Sequence, residues 1–338
     1  MIADYLIFLA KSATVVLAIL VVVAAIIALS SKNKGKDKEK LSIKKINDKF
    51  KNFEKILHEA ILSKHAFKEV KKSQKKTEKL QEKEKSPPKK RLFVLNFQGD
   101  VKASSVKSLR EEITAILTVA TKNDEVVVKI ESPGGMLHAY GLASSQLQRI
   151  RDAKIPLTTM IDKVAASGGY MMACVGNKVV AAPFAIVGSI GVIAQLPNFH
   201  KLLKKNNIDF EQLTAGEYKR TLTIFGENTS KGRQKMQEEI DEAQILFKQF
   251  VQEHRPQLDI DRVATGEHWT GKQALELNLV DDLMTSDDYL MTMSKTADIF
   301  EISMTGKKSL MNRFLGSTQQ AYEALLKLAG LSHSSTLF

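Results

Sequence analysis

Residues 125–135 read Glu125-Val126-Val127-Val128-Lys129-Ile130-Glu131-Ser132-Pro133-Gly134-Gly135. The β-branched run predicts a strand over 125–130, and the Pro-Gly-Gly that follows stops it. Residues 136–152 then predict a helix. A strand, a glycine pair and a helix N-terminus in that order present backbone N–H groups with no side chain in the way. The same order also describes an ordinary tight turn.

The alternation extends both ways. Strands are predicted over 91–97, 156–161 and 178–182, and helices over 104–121 and 167–175, with Ser104 and Ser105 as cap candidates. Strands alternating with helices of this length predict an α/β domain with a parallel sheet. A long helix over 228–254 carries Met236, Ile240, Ala243, Phe247 and Phe250 on one stripe, which is core or an oligomer contact. Residues 175–196 are apolar but broken by Asn177, Lys178, Pro183, Gly188 and Gly191, so buried strands and a loop are expected there and not a membrane span.

Upstream of this domain the chain changes character. Residues 13–29 (ATVVLAILVVVAAIIAL) form an apolar run of the length that spans a bilayer, longer than a signal-peptide core. An uncleaved anchor is expected over 1–31; a cleaved signal ending near Ala28-Leu29-Ser30 is the rival. Residues 32–90 are a Lys-rich, partly helical spacer suited to contact with anionic lipid. Between Lys32 and Arg91 lie 22 basic and 9 acidic residues, which leaves 28 basic and 29 acidic for the other residues. The net charge of +12 therefore belongs to the spacer, and no nucleic-acid partner is expected. The single cysteine, Cys174, excludes a disulfide scaffold and multi-cysteine metal sites, and is expected in the core.

Three loci could carry chemistry. The Gly134-Gly135 turn suits an oxyanion hole. Ser167, in Ala165-Ala166-Ser167-Gly168-Gly169-Tyr170, begins a helix directly after a strand, where a nucleophile or an N-cap serine is placed. Lys219 could act as a base if an apolar pocket lowered its pKa, with Tyr218, Leu222, Ile224 and Phe225 as walls. A histidine triad would have to use His138 or His268, and neither has a clear Asp partner. No zinc motif or phosphate-binding loop is present in the sequence, and neither cofactor nor metal is expected.

Taken together, Ser132-Pro133-Gly134-Gly135, Ala166-Ser167-Gly168-Gly169-Tyr170, Gly188-Ser189-Ile190-Gly191-Val192, Tyr218-Lys219 and Gly266-Glu267-His268-Trp269-Thr270-Gly271 resemble the SppA-type family of membrane serine peptidases. The resemblance covers about residues 91–283 and includes Ala274 and Leu279-Val280-Asp281. It implies a Ser–Lys dyad, with Ser167 as nucleophile, Lys219 as general base and Ser189 orienting the lysine. Gly168 and either Gly134 or Gly135 would then form the oxyanion hole. It also implies a fold like that of ClpP and crotonases, built of repeated β-β-α turns over 91–300, with 301–338 as a C-terminal extension carrying a short helix.

The expected function is a membrane-anchored serine endopeptidase acting on unfolded or signal-peptide-like apolar segments of peptides and proteins. The resemblance implies a homo-oligomeric ring in which Ser167 and Lys219 come from one protomer or from neighbours. A catalytically silent scaffold and a crotonase-like acyl transfer enzyme are the alternatives. The expected location is the bacterial inner membrane, with a single N-terminal span and membrane lipid as a partner. Orientation divides the signals: the lysines after the apolar run favour the cytoplasm, and the resemblance favours a periplasmic domain.

Overall fold

A computed structural model describes residues 5, 7–19, 22, 40–83 and 89–305. Residues 41–304 form one unit. Its centre is a seven-stranded sheet made of β1 (Lys40–Lys45), β2 (Lys90–Gln98), β3 (Glu125–Glu131), β4 (Leu157–Ile161), β6 (Lys178–Ala181), β9 (Asp282–Leu283) and β10 (Ala297–Thr305), in the order β1-β10-β2-β3-β4-β6-β9. Every pairing from β10 across to β9 is parallel. A second, three-stranded sheet runs β5 (Val164–Ala166), β7 (Ile186–Gly188), β8 (His268–Thr270). Strands therefore enter in pairs: β4 leads into β5 and β6 into β7, with one strand of each pair in each sheet.

Both faces of the large sheet are covered, as parallel sheets require. Because side chains alternate along a strand, β2 sends Phe93, Leu95 and Phe97 to one core and Leu92 and Val94 to the other. Likewise β3 sends Val126, Val128 and Ile130 one way and Val127 the other. Helices α3 (Val106–Leu117), α4 (Leu137–Asp152) and α5 (Gly168–Ala173) cover the first face, together with Phe247 and Val251 of the long helix α7 (Ser230–His254). Of the stripe expected on that helix, Phe247 is buried, while Met236, Ile240, Ala243 and Phe250 are half-buried. Ser105 stands at the start of α3 but does not cap it; its hydroxyl donates to the Gln98 carbonyl at 2.6 Å.

The second face is covered in part by the segment expected to be a spacer. Ile46 and Phe50 of α1 (Ile46–Ile61) pack on Leu92, Val94, Val127 and Ile299, beside Leu290 of α10 (Ser286–Met293). Buried Asn47 fastens them: its amide donates to the carbonyls of Ala297 (2.9 Å) and Ser294 (3.2 Å) and accepts from the Ile299 N–H (2.7 Å). The boundary expected at residue 90 is thus corrected, since part of the Lys-rich segment belongs to the domain. At the other end, β10 runs through 301–305, and the expected C-terminal helix lies outside the described residues. The apolar stripe of α1 continues beyond the sheet, leaving Phe53, Ile56, Leu57 and Ile61 exposed. The helix α2 (Lys64–Lys83) follows.

Residues 7–19 are helical. Among the described residues no helix is long and apolar enough to cross a membrane. Residues 1–4, 6, 20–21 and 23–31 of the expected anchor lie outside the described residues.

Candidate active site

The β5 and β7 strands pair in parallel, with Ala166 beside Gly188. That register sets Ser167 and Ser189 next to each other, each one residue beyond its strand. The Ser167 N–H donates to the Gly188 carbonyl at 2.8 Å, and the Ser189 N–H to the Glu267 carbonyl at 2.6 Å. Both serines have φ of +52°, a backbone conformation that L residues adopt rarely and that clusters at functional sites. Ser167 sits at the N-cap position of α5, yet its side chain caps nothing. Its hydroxyl has no hydrogen bond among the described residues, so the cap explanation for this serine fails and a half-exposed, unengaged Oγ is left.

The Gly134-Gly135 turn lies against this serine. At Gly134, φ is +92°, and a Cβ there would fall 2.7 Å from Ser167 Cβ and 2.8 Å from the Gly168 nitrogen. Only glycine keeps the space beside Ser167 open. The Gly134 N–H itself donates to Ser132 Oγ at 3.1 Å. Those of Gly135 and Gly168 have no partner among the described residues. Of the three glycines read from the sequence, Gly134 thus supplies room, while Gly135 and Gly168 supply free donors. All lie at the C-terminal ends of parallel strands, where open α/β sheets bind their ligands.

Lys219 is placed otherwise. It is exposed, and among the described residues no hydrogen bond or ion pair joins it to Ser167 or Ser189. Among the described residues no apolar pocket encloses it: Tyr218, Ile224 and Phe225 are exposed too. The reason is local. Residues 191–229 hold one helix, α6 (His200–Lys205), in an otherwise irregular segment. It closes on itself through Phe199, Phe210 and Phe225, and through Asn198, whose amide donates to the carbonyls of Thr223 (2.9 Å) and Gly226 (3.0 Å). A cleft of about 630 Å³ holds Lys219 with Leu196, Phe210, Leu213, Leu222 and Phe225. Ser189 lines a separate cleft of about 310 Å³ with Gly191, Ile193, Gln237, Ile240 and Gln244. Large apolar side chains line both clefts or stand in solvent, Leu213 being 96% exposed.

The histidine alternative finds no support. His138 and His268 are exposed, and among the described residues neither bonds to Ser167 or to a carboxylate. Cys174 is fully buried, and burial pushes its thiol pKa up to about 12, which makes it a core residue. A bidentate pair between buried Arg255 and Asp281 (2.7 and 2.8 Å) fastens the end of α7 next to β6, where the same carboxylate accepts from the Val179 N–H at 2.7 Å. Sequence reasoning had matched Asp281 without finding this role, because the partner lies 26 residues upstream in an unremarkable helix end.

Comparison with known proteins points to a peptidase family. Residues 1–147 match the description "Peptidase family S49 N-terminal", and residues 149–299 match "Peptidase family S49". The chain is 48% identical to a "Probable protease SohB" of Haemophilus influenzae over 335 residues, 96% of this chain and 94% of that protein. It is 55% identical to a "Probable protease SohB" of Buchnera aphidicola over 241 residues, 71% of this chain and 72% of that one. A "Putative protease MJ0651" of Methanocaldococcus jannaschii is 30% identical over 177 residues, 52% of this chain and 56% of that protein.

Proposed function

Because the chain belongs to peptidase family S49, we propose that it is a serine endopeptidase in which Ser167 attacks and Lys219 of a neighbouring protomer is the base. The observation that carries this is the unengaged Ser167 hydroxyl, held at φ +52° beside Gly134 and the free N–H groups of Gly135 and Gly168. A neutral Lys219 amine takes the Ser167 proton as Oγ attacks the peptide carbonyl, and the two N–H groups hold the resulting oxyanion. The protonated base then gives its proton to the leaving amine. Water attacks the acyl-enzyme and restores the serine. Ser189, adjacent to Ser167 by strand register, would hold the amine in place.

An ammonium in water cannot serve as that base at neutral pH, since its pKa is about 10.4. Lys219 therefore needs a burial that the described residues of one chain do not give it. A ring of protomers supplies it when the exposed apolar segment 193–225 is covered by the next copy. The same assembly would bury Leu213 and complete a groove for apolar peptide segments. The fold is then like that of ClpP and crotonases.

The apolar run at 13–29 would anchor the chain in the bacterial inner membrane, with the catalytic domain on the periplasmic side. The exposed stripe Phe53, Ile56, Leu57 and Ile61, flanked by the Lys-rich segment, would lie at the lipid surface.

Hydrolysis of an unfolded protein and of an apolar signal-like peptide by the full chain, Ser167→Ala and Lys219→Ala tests the proposal. Activity in the wild type and silence in both variants is expected. Retention of activity by Ser167→Ala would overturn it.

A further inference from the structure

A fully buried pair of hydroxyls stands behind the turn that faces Ser167. Tyr140 Oη donates to the Asp100 carbonyl at 2.8 Å. With that proton committed, the 2.5 Å contact between Ser132 Oγ and Tyr140 Oη must be a donation from Ser132. The remaining lone pairs of Ser132 Oγ accept the Gly134 N–H at 3.1 Å. Both residues are 0% exposed, so neither hydroxyl is shared with water. There is no slack in this packing: a Cβ on Gly99 would sit 2.3 Å from Ser132 Oγ and 2.4 Å from Tyr140 Oη.

The same two residues also touch the other half of the site. The Tyr140 ring lies under the first turn of α5, where a Cβ on Gly168 would fall 2.3 Å from Tyr140 Cγ. Phe97 packs edge-on against that ring, with centroids 6.3 Å apart. The Ser132 carbonyl accepts the Ala166 N–H at 3.0 Å, one residue before Ser167. A Cβ on Gly169 would come 2.5 Å from that carbonyl oxygen. Ser132 and Tyr140 are thus in contact with the turn that carries the Gly135 N–H and with the helix start that carries the Gly168 N–H.

We propose that Ser132 and Tyr140 are positioning residues that set the distance between the two oxyanion donors by bonding one loop and packing under the other. This rests on the peptidase reading. By engaging the Gly134 N–H, Ser132 turns that amide away from substrate and leaves the Gly135 N–H to face it. Oxyanion donors act only when fixed within a few tenths of an ångström of the developing charge. Loosening the turn therefore lowers the turnover of bound substrate and leaves its binding alone.

The test uses the detergent-solubilised full chain with Tyr140→Phe, which keeps the ring, Ser132→Ala and the double variant. Active sites are counted with a covalent serine-directed phosphonate, so that kcat refers to competent enzyme. In each single variant kcat is expected to fall about tenfold or more with KM within twofold, since outright loss of a donor costs about 10²–10³. Acting in series, the two changes should not add: the double variant should match the slower single variant.

Unchanged kcat, a loss carried by KM alone, or a loss explained by fewer titrated sites would each overturn the proposal. A second readout needs no activity. Pro133-Gly134 is the only Pro-Gly pair in the chain, so carbonyl-labelled proline with nitrogen-labelled glycine gives Gly134 a single amide signal. That signal should move and exchange faster with solvent in Ser132→Ala, and an unmoved signal would overturn the linkage. If the wild type hydrolyses nothing while the Gly134 signal responds, the peptidase reading fails and the bonding of the turn stands.

Discussion

Replacing Gly134 by alanine should disable the site while leaving the protein folded. The new methyl carbon would be built 2.7 Å from Ser167 Cβ and 2.8 Å from both the Gly168 nitrogen and the Ala166 oxygen. Ordinary contacts to a methyl begin near 3.4 Å, so the turn and the nucleophile must separate by roughly 0.6 Å or more. An alanine at φ +92° adds a strain of about 1–2 kcal/mol. That strain is a fraction of a domain's stability of about 5–15 kcal/mol, so Gly134→Ala should fold with a lowered unfolding midpoint.

The chemistry is less tolerant, because a misplacement near 1 Å costs on the order of 10²-fold in rate. Together with the methyl in the oxyanion space, kcat should fall about 10²–10³-fold. The assay is steady-state hydrolysis of a fluorogenic peptide, with the unfolding midpoint measured on the same preparation. A kcat within threefold of wild type, in a folded sample, would refute the placement of the oxyanion hole at this turn.

Other consequences follow from buried charge and exposed apolar surface. Asp281→Ala should lower stability by about 3 kcal/mol in denaturant titration, because the buried Arg255, 3% exposed, would lose its ion-pair partner and the Val179 N–H its acceptor. Burial alone would raise the Asp124 pKa, but hydrogen bonds from Arg91 and Thr121 outweigh it and hold it at about 2. A folded pKa below the unfolded value of about 3.9 gives stability that is complete above roughly pH 5 and lost as pH falls towards 2. The stability gap between wild type and Asp124→Asn should therefore narrow over that window in acid titration. A fluorophore on Leu57→Cys in proteoliposomes should be quenched by nitroxide-labelled lipid; an unquenched probe in fully inserted protein would rule out lipid contact by this helix.

The central strands were legible because runs such as 125–130 carry a strong β-branched signal and end in glycine and proline. Other strands were not, three of them beside the site. Val164–Ala166, Ile186–Gly188 and His268–Thr270 have three residues each, too few for any period to register. Yet they form the small sheet, and the ends of two of them hold Ser167 and Ser189. The structure brings Ser167, Ser189, Gly134, Gly135 and Gly168 together, while the difference between Gly134 and Gly135 depends on one hydrogen bond to Ser132 that no spacing reveals.

The Lys-rich segment misled for a different reason. Its charge count is that of a solvated spacer, but one buried asparagine, Asn47, and two apolar residues, Ile46 and Phe50, tie it to the sheet. Lys219 shows the limit of reading a single chain. Its neighbours are apolar, as the sequence suggested, but among the described residues no other part of the same protomer closes over them.

In the proposed enzyme a serine and a lysine meet between protomers. Ser167→Ala and Lys219→Ala proteins, each inactive alone, should be mixed in equal amounts and allowed to exchange subunits. A site that takes its serine from one copy and its lysine from the next is intact in about a quarter of random neighbours. The mixture should therefore regain about a quarter of wild-type hydrolysis. A mixture that stays silent, with subunit exchange shown by energy transfer between labelled copies, would contradict the shared dyad.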